Sequence, residues 1–195
     1  MMDFGGKAST IEGMSEHPRP APRVMVAAVT AVRSRSIEEL VKVAVDEVRA
    51  AGFTFVRSVV VKGEPQFIQQ LVSHVSNDNE ADAILMLGGT GIGPRDITCE
   101  ALDPFVERRI EGFGEAYRRL LREEFEAAAG ALLSRATAGV YNQCVVFAVS
   151  GQPGHVQRAI QSLIVPTLSD AVVAATGGVR AQESAAPSSI KPRPL

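Results

Sequence analysis

The residues best suited to chemistry lie in one stretch, Gly88-Gly89-Thr90-Gly91-Ile92-Gly93-Pro94-Arg95-Asp96. Glycine admits positive φ and lets backbone approach a ligand closely, so successive N–H groups can converge on phosphate oxygens. Thr90 adds a hydroxyl and Arg95 a counter-charge, and a helix starting after the loop would add its partly positive end. A glycine pair alone would indicate a tight turn. Four glycines with a threonine and an Arg-Asp pair, straight after a buried run, indicate an anion site. Asp96 has two readings: it coordinates Mg²⁺ together with nucleotide phosphates, or it caps the next helix. The stretch lacks the lysine of GxxxxGK[ST] and the spacing of GxGxxG, so it is neither of those nucleotide loops.

The elements that must position this loop alternate along the chain. Arg23 to Val29, Thr54 to Val61 and Ala83 to Leu87 are short apolar runs of the kind buried parallel strands show. Between them, Ile37 to Ala51 places Leu40, Val41, Ala44, Val45 and Val48 at helical spacing, with Ser36 as N-cap and Gly52 past the end. Pro65 to Ser76 is the second helix. A βαβαβ order predicts a parallel sheet with helices on both faces and ligands beyond the strands' C-terminal ends, where Gly88 to Asp96 falls. Further on, the pattern predicts a helix over 112–128 and two short strands over 136–149 around Tyr141-Asn142. A last helix from Pro153 should be kinked by Pro166.

With 195 residues and 46% hydrophobic content, one domain over 23–176 is expected, between a mobile arm at 1–22 and a flexible tail at 177–195. A net charge of −2 and a pI near 6.0 give no basic field for nucleic acid or anionic lipid. Cys99 and Cys144 form no CxxC pair and read as reduced and structural. No apolar run reaches the roughly 20 residues of a membrane span, and no signal peptide is evident, so the cytoplasm is the expected address.

The strings GGTGIGPRDITCEAL (Gly88 to Leu102), EGFGEAYR (Glu111 to Arg118), LLSRATAGV (Leu132 to Val140) and SGQPGHV (Ser150 to Val156) resemble the molybdopterin-binding MoaB/Mog family of molybdenum cofactor biosynthesis. The likeness spans about residues 24 to 175 and is closer to the MoaB branch. It implies a single-domain, three-layer α/β/α fold with a mostly parallel sheet, assembly as a trimer or hexamer, and molybdopterin as ligand. In the Mog branch it implies transfer of AMP from Mg-ATP to the pterin's terminal phosphate. Residue by residue, Gly88, Gly89, Thr90 and Gly91 match the family's glycine loop at the phosphate and nucleotide end, with Arg95 beside them. Asp96 matches the acidic residue tied to Mg-ATP. Glu115 matches a glutamate on the pterin side, Ser134 and Arg135 match an LSR motif, and Gly151 to Gly154 match a Gly/Pro turn. Three departures stand out. Gly63 occupies the place of a second aspartate, with Glu64 one position along, Thr30 to Arg33 replaces a Ser-Asp segment, and Ser150 replaces a proline.

Three functions are therefore in view. The first is a Mg-ATP-dependent molybdopterin adenylyltransferase with Asp96 and Glu64 as its carboxylates. The second is a molybdopterin-binding module without transfer, and the third a regulatory oligomer.

Overall fold

The computed structural model describes residues 20–30, 34–125 and 128–178; the expected arm before Pro20, the segment 31–33 and the tail after Gly178 lie outside the described residues. The three apolar runs form strands with the ends the sequence indicates: β1 (Arg23–Val29), β2 (Thr54–Val61) and β3 (Ala83–Leu87). They are joined by α1 (Arg35–Ala50) and α2 (Pro65–Asn77). The helix start differs from expectation: Ser34 is the N-cap residue, and Ser36 lies in the first turn with its Oγ 2.8 Å from Ser34 Oγ. Next come α3 (Thr98–Leu102), the two-residue β4 (Arg108–Arg109), α4 (Gly112–Phe125) and α5 (Ala128–Leu132). Of the helix expected over 112–128, Gly112–Phe125 is helical and 126–127 lie outside the described residues.

The strands β5 (Thr137–Tyr141) and β6 (Cys144–Val149) form an antiparallel hairpin. Positive φ at Asn142 and Gln143 makes its two-residue turn. Sheet order is β2-β1-β3-β6-β5-β4, parallel from β2 through β6 and antiparallel beyond. The strand order reverses between β1 and β3, the place where open α/β sheets leave a crevice at their C-terminal ends.

Alternation along the central strands divides the core in two. Val24, Val26, Leu85, Leu87 and Phe147 face α1, α4 and the last helix, while Met25, Ala27, Ile84, Met86 and Val146 face α2 and α3. Helices cover both faces, so the fold has three layers. Each fully buried Leu, Ile or Val adds about 1.5–3 kcal/mol relative to exposure.

The last helix runs as α6 (Pro153–Ala159), a π-helical turn (Ile160–Ile164) and α7 (Val165–Thr176), closed by left-handed Gly177. Pro166 cannot donate to the preceding turn, and the wider turn before it absorbs the missing bond, which is the form the expected kink takes. Pro153–Thr176 is long and apolar enough by composition to cross a membrane, with mean hydropathy 1.4. Its Val156, Ala159, Ile160, Ile164, Leu168 and Val172 nevertheless pack on the sheet as core.

Candidate functional site

The loop after β3 leaves the sheet at the switch point. Gly88 (φ +103) donates its N–H to Val149 O at 2.9 Å, and a Cβ there would lie 3.0 Å from Val29 O. Gly89 (φ +69) turns the chain so that its carbonyl accepts Thr98 N–H at 3.0 Å, while Thr98 Oγ1 donates to Gly88 O at 2.8 Å. A side chain at Gly89 would collide with Thr98 Oγ1. The expected helix after the loop is the short α3, and Thr98 ties its start back onto the glycines.

Asp96 does not cap that helix. Its Oδ2 accepts Gly93 N–H at 2.9 Å and its own N–H donates to Gly93 O at 2.9 Å, which curls the loop around the carboxylate. Gly91 and Gly93 make room for it, since a Cβ at either would lie 2.6 or 2.9 Å from Oδ2. Thr90 is buried, 3% exposed, and its hydroxyl makes no hydrogen bond among the described residues, which leaves it able to serve a ligand. Arg95 is exposed on the same curl.

Arg135 is the brace of this loop. Its N–H donates to Thr90 O at 2.8 Å, its Nε to Gly91 O at 2.7 Å and its Nη2 to Asp96 O at 2.6 Å, while Nη1 pairs with Glu100. The Glu100 bond raises the guanidinium's pKa further, and Arg135 in turn holds the Glu100 carboxyl below the usual range. Much of this cation's bonding is therefore spent on loop carbonyls, a role the sequence does not show. Ser134 is nearly buried; its Oγ accepts Ala136 N–H at 3.3 Å, so its hydroxyl proton is available. Cys99 donates to Arg135 O at 3.0 Å, and burial pushes its thiol up to about 11, so it stays a neutral packing group.

On the opposite wall, Gly151 approaches Gly88 closely enough that a Cβ would lie 3.4 Å from Gly88 Cα. The turn Ser150 to Gly154 is fixed to α4 by a partly buried polar chain that sequence reading missed. Tyr117 OH donates to Ser150 Oγ at 2.9 Å and accepts Ser150 N–H at 3.3 Å, and Ser150 Oγ lies 3.2 Å from His155 Nδ1. The only sequence signal was a tyrosine on the apolar face of α4. Burial lowers the His155 pKa and raises that of Tyr117, favouring both neutral forms. With neutral imidazole accepting at Nδ1, the proton sits on Nε2. Gly154 packs against the Phe125 ring, which also meets His155 edge-on at 4.6 Å between centroids. Glu115 stands exposed on α4 beside Arg118, Arg119 and Arg122. It forms no ion pair with Arg118 or Arg119: Arg118 Nη1 reaches Ser134 O at 3.5 Å, and Arg119 lies 3.9 Å from Glu123.

Glu64 stands apart from these groups. It is the exposed N-cap residue of α2, caps nothing with its side chain, and accepts Gln66 Nε2 at 2.7 Å. Gly63 borders the loop: a Cβ there would sit 4.0 Å from Arg95 O and 3.9 Å from Val29 Cγ1, so a larger side chain fits. Among the described residues no group of three His, Cys, Asp or Glu is gathered for a metal. Mg²⁺ commonly takes one or two carboxylates and completes its shell with phosphate oxygens and water, and Asp96 with an open Oδ1 suits that use.

A family profile described as "Probable molybdopterin binding domain" matches residues 29–170. Molybdenum cofactor biosynthesis protein B of Bacillus subtilis (strain 168) is 35% identical over 162 residues, covering 82% of this chain and 95% of that protein. A crystal structure of a molybdenum cofactor biosynthesis protein B superposes with a TM-score of 0.77 at 28% identity, over 83% of this chain and 99% of the other. A molybdopterin biosynthesis protein from Mycobacterium abscessus superposes at 0.69 with 25% identity, over 84% and 99%.

Proposed function

Since the chain belongs to the molybdopterin-binding MoaB/Mog family of molybdenum cofactor biosynthesis, we propose that it binds molybdopterin across the end of the sheet rimmed by the glycine loop and the Ser150 to Gly154 turn and adenylylates it with Mg-ATP. The observation that carries the reading is the close facing of Gly88 and Gly151, with positive φ at Gly88 and Gly89. Two bare backbone turns side by side at the switch point suit a flat ligand laid across them and ending in a phosphate. Gly88 to Gly91, the free Thr90 hydroxyl and exposed Arg95 would hold phosphate, and Ser134 and Glu115 the other end of the ligand. Asp96, with Glu64 as the second carboxylate, would hold Mg²⁺, which supplies charge neutralisation when bound. In the proposed transfer a terminal phosphate oxygen of the pterin bonds to the α-phosphorus of ATP as the bond to pyrophosphate breaks. A homo-oligomer, trimer or hexamer, belongs to the same proposal.

A second reading, binding without transfer, is favoured by one specific observation: Gly63 offers no carboxylate beside Arg95, and Glu64 points its hydrogen bond along its own helix. Mass spectrometry of protein mixed with molybdopterin, ATP and Mg²⁺ separates the two. Adenylylated pterin that disappears in Asp96→Asn supports the enzyme. Bound pterin without product supports the binding module.

A further inference from the structure

Five arginines among the described residues are half-buried: Arg23, Arg57, Arg118, Arg135 and Arg158. Four of them hold a carboxylate of this chain, namely Asp82, Glu80, Glu100 and Glu124 in turn. That is the usual resolution for a guanidinium partly withdrawn from water. Arg118 is the exception, since its one bond is the 3.5 Å contact from Nη1 to Ser134 O. Room for it has been made: a Cβ on Gly114, one turn earlier, would come 3.3 Å from Nη1 and 2.7 Å from Ala136 O.

Arg118 lines a cleft of about 360 Å³ together with Ser134, Arg135, Thr137, Arg109 and the carboxylates Asp103 and Glu111. The other charges there are largely matched. Arg109 donates to Asp103 at 2.6 Å and also feels Glu111, and Arg135 is held by Glu100. What remains is one cation with two hydroxyls: Ser134, bonded only as an acceptor, and Thr137, which makes no side-chain hydrogen bond among the described residues. A guanidinium flanked by hydroxyl donors matches the oxygens of a phosphate group. We propose that Arg118, Ser134 and Thr137 form a second anion site that takes phosphate, either free or carried as an ester.

The site is tested without the pterin. Inorganic phosphate is titrated into the full chain while N–H resonances are followed by NMR: the amides of Ser134 to Thr137 report this site and those of Gly88 to Gly91 report the loop. Phosphate should shift both sets in the natural protein. In Arg118→Gln the shifts at 134–137 should require about tenfold more phosphate or vanish, given the strength of charge-assisted bonds, while the loop shifts persist. Arg118→Lys should restore most of the effect, and Thr137→Val should weaken it severalfold in a protein with helix α4 untouched. Shifts confined to the loop in the natural protein, or shifts at 134–137 that survive Arg118→Gln, would overturn the assignment. Titration with molybdopterin alongside keeps the two readings apart: failure of the pterin to bind while phosphate still does counts against the function proposed above and leaves this site standing. A phosphate ester that shifts 134–137 more strongly than free phosphate identifies the ester as the source.

Discussion

The loop after β3 and the turn after β2 are neighbours at the same end of the sheet, yet they are held in opposite ways. The loop is fixed by distant residues: Arg135 bonds Thr90, Gly91 and Asp96, and Thr98 bonds Gly88. The hydrogen bonds of the Lys62 to Glu64 turn among the described residues stay within its own segment, as in Glu64 N–H to Lys62 O and Gln66 to Glu64. The geometry of the glycine loop is therefore built into the folded chain, while the exposed Glu64 carboxylate, the second one in the proposed transfer, bonds a neighbour on its own helix. A preorganised site loses little entropy when ligand arrives, and a side chain that must be ordered for each turnover loses more.

The comparison can be broken most sharply on the rigid side. Gly89→Val combines an unfavourable positive φ with a collision at Thr98 Oγ1, and should cost about 3 kcal/mol in stability and abolish ligand binding. Normal affinity by calorimetry in a stable Gly89→Val protein would refute the close-approach argument. Arg135→Met should cost about 1–2 kcal/mol by leaving loop carbonyls without donors, and should weaken phosphate binding at Gly88 to Gly91 by about tenfold. An unchanged melting temperature and an unchanged affinity together would show that the loop stands without its brace.

On the loosely held side, Gly63→Asp should leave folding within about 0.5 kcal/mol, since the new Cβ meets only ordinary contacts. If a fixed carboxylate is what the turn lacks, AMP transfer in the same assay should rise by about tenfold. Glu64→Gln should leave melting unchanged and lower transfer only if Glu64 supplies that charge.

The smallest effect concerns acid. Burial depresses the His155 pKa, so protonation is harder in the folded protein than in the unfolded chain. Stability from this group is fully present above the ordinary value of 6.5 and is lost as pH falls through the lower folded-state value. Thermal melts below pH 6.5 should show this decline, and His155→Asn, which keeps an acceptor near Nδ1, should flatten it. An identical decline in the variant would place the proton elsewhere.

The strands were legible because buried parallel strands are continuous apolar runs, and Arg23–Val29, Thr54–Val61 and Ala83–Leu87 have the ends read from them. The glycine loop was legible for a similar local reason. The N-cap at Ser34 and the form of the break before Pro166 depend on packing between elements. The same limit hid the true work of Arg135, whose bonds span 39 and 44 residues, and the Tyr117–Ser150 link, which spans 33. Spacing along a chain carries no trace of such partners until the sheet brings them together.

The π-helical turn at Ile160–Ile164 also bears on how this chain can change over evolutionary time. Such a turn holds one residue more than the regular helix would need. Deleting one residue there would restore ordinary pitch and leave the helix on either side in phase, so Leu168 and Val172 would stay on the sheet. Related sequences should therefore differ in length by one residue at this segment more readily than elsewhere in the helix.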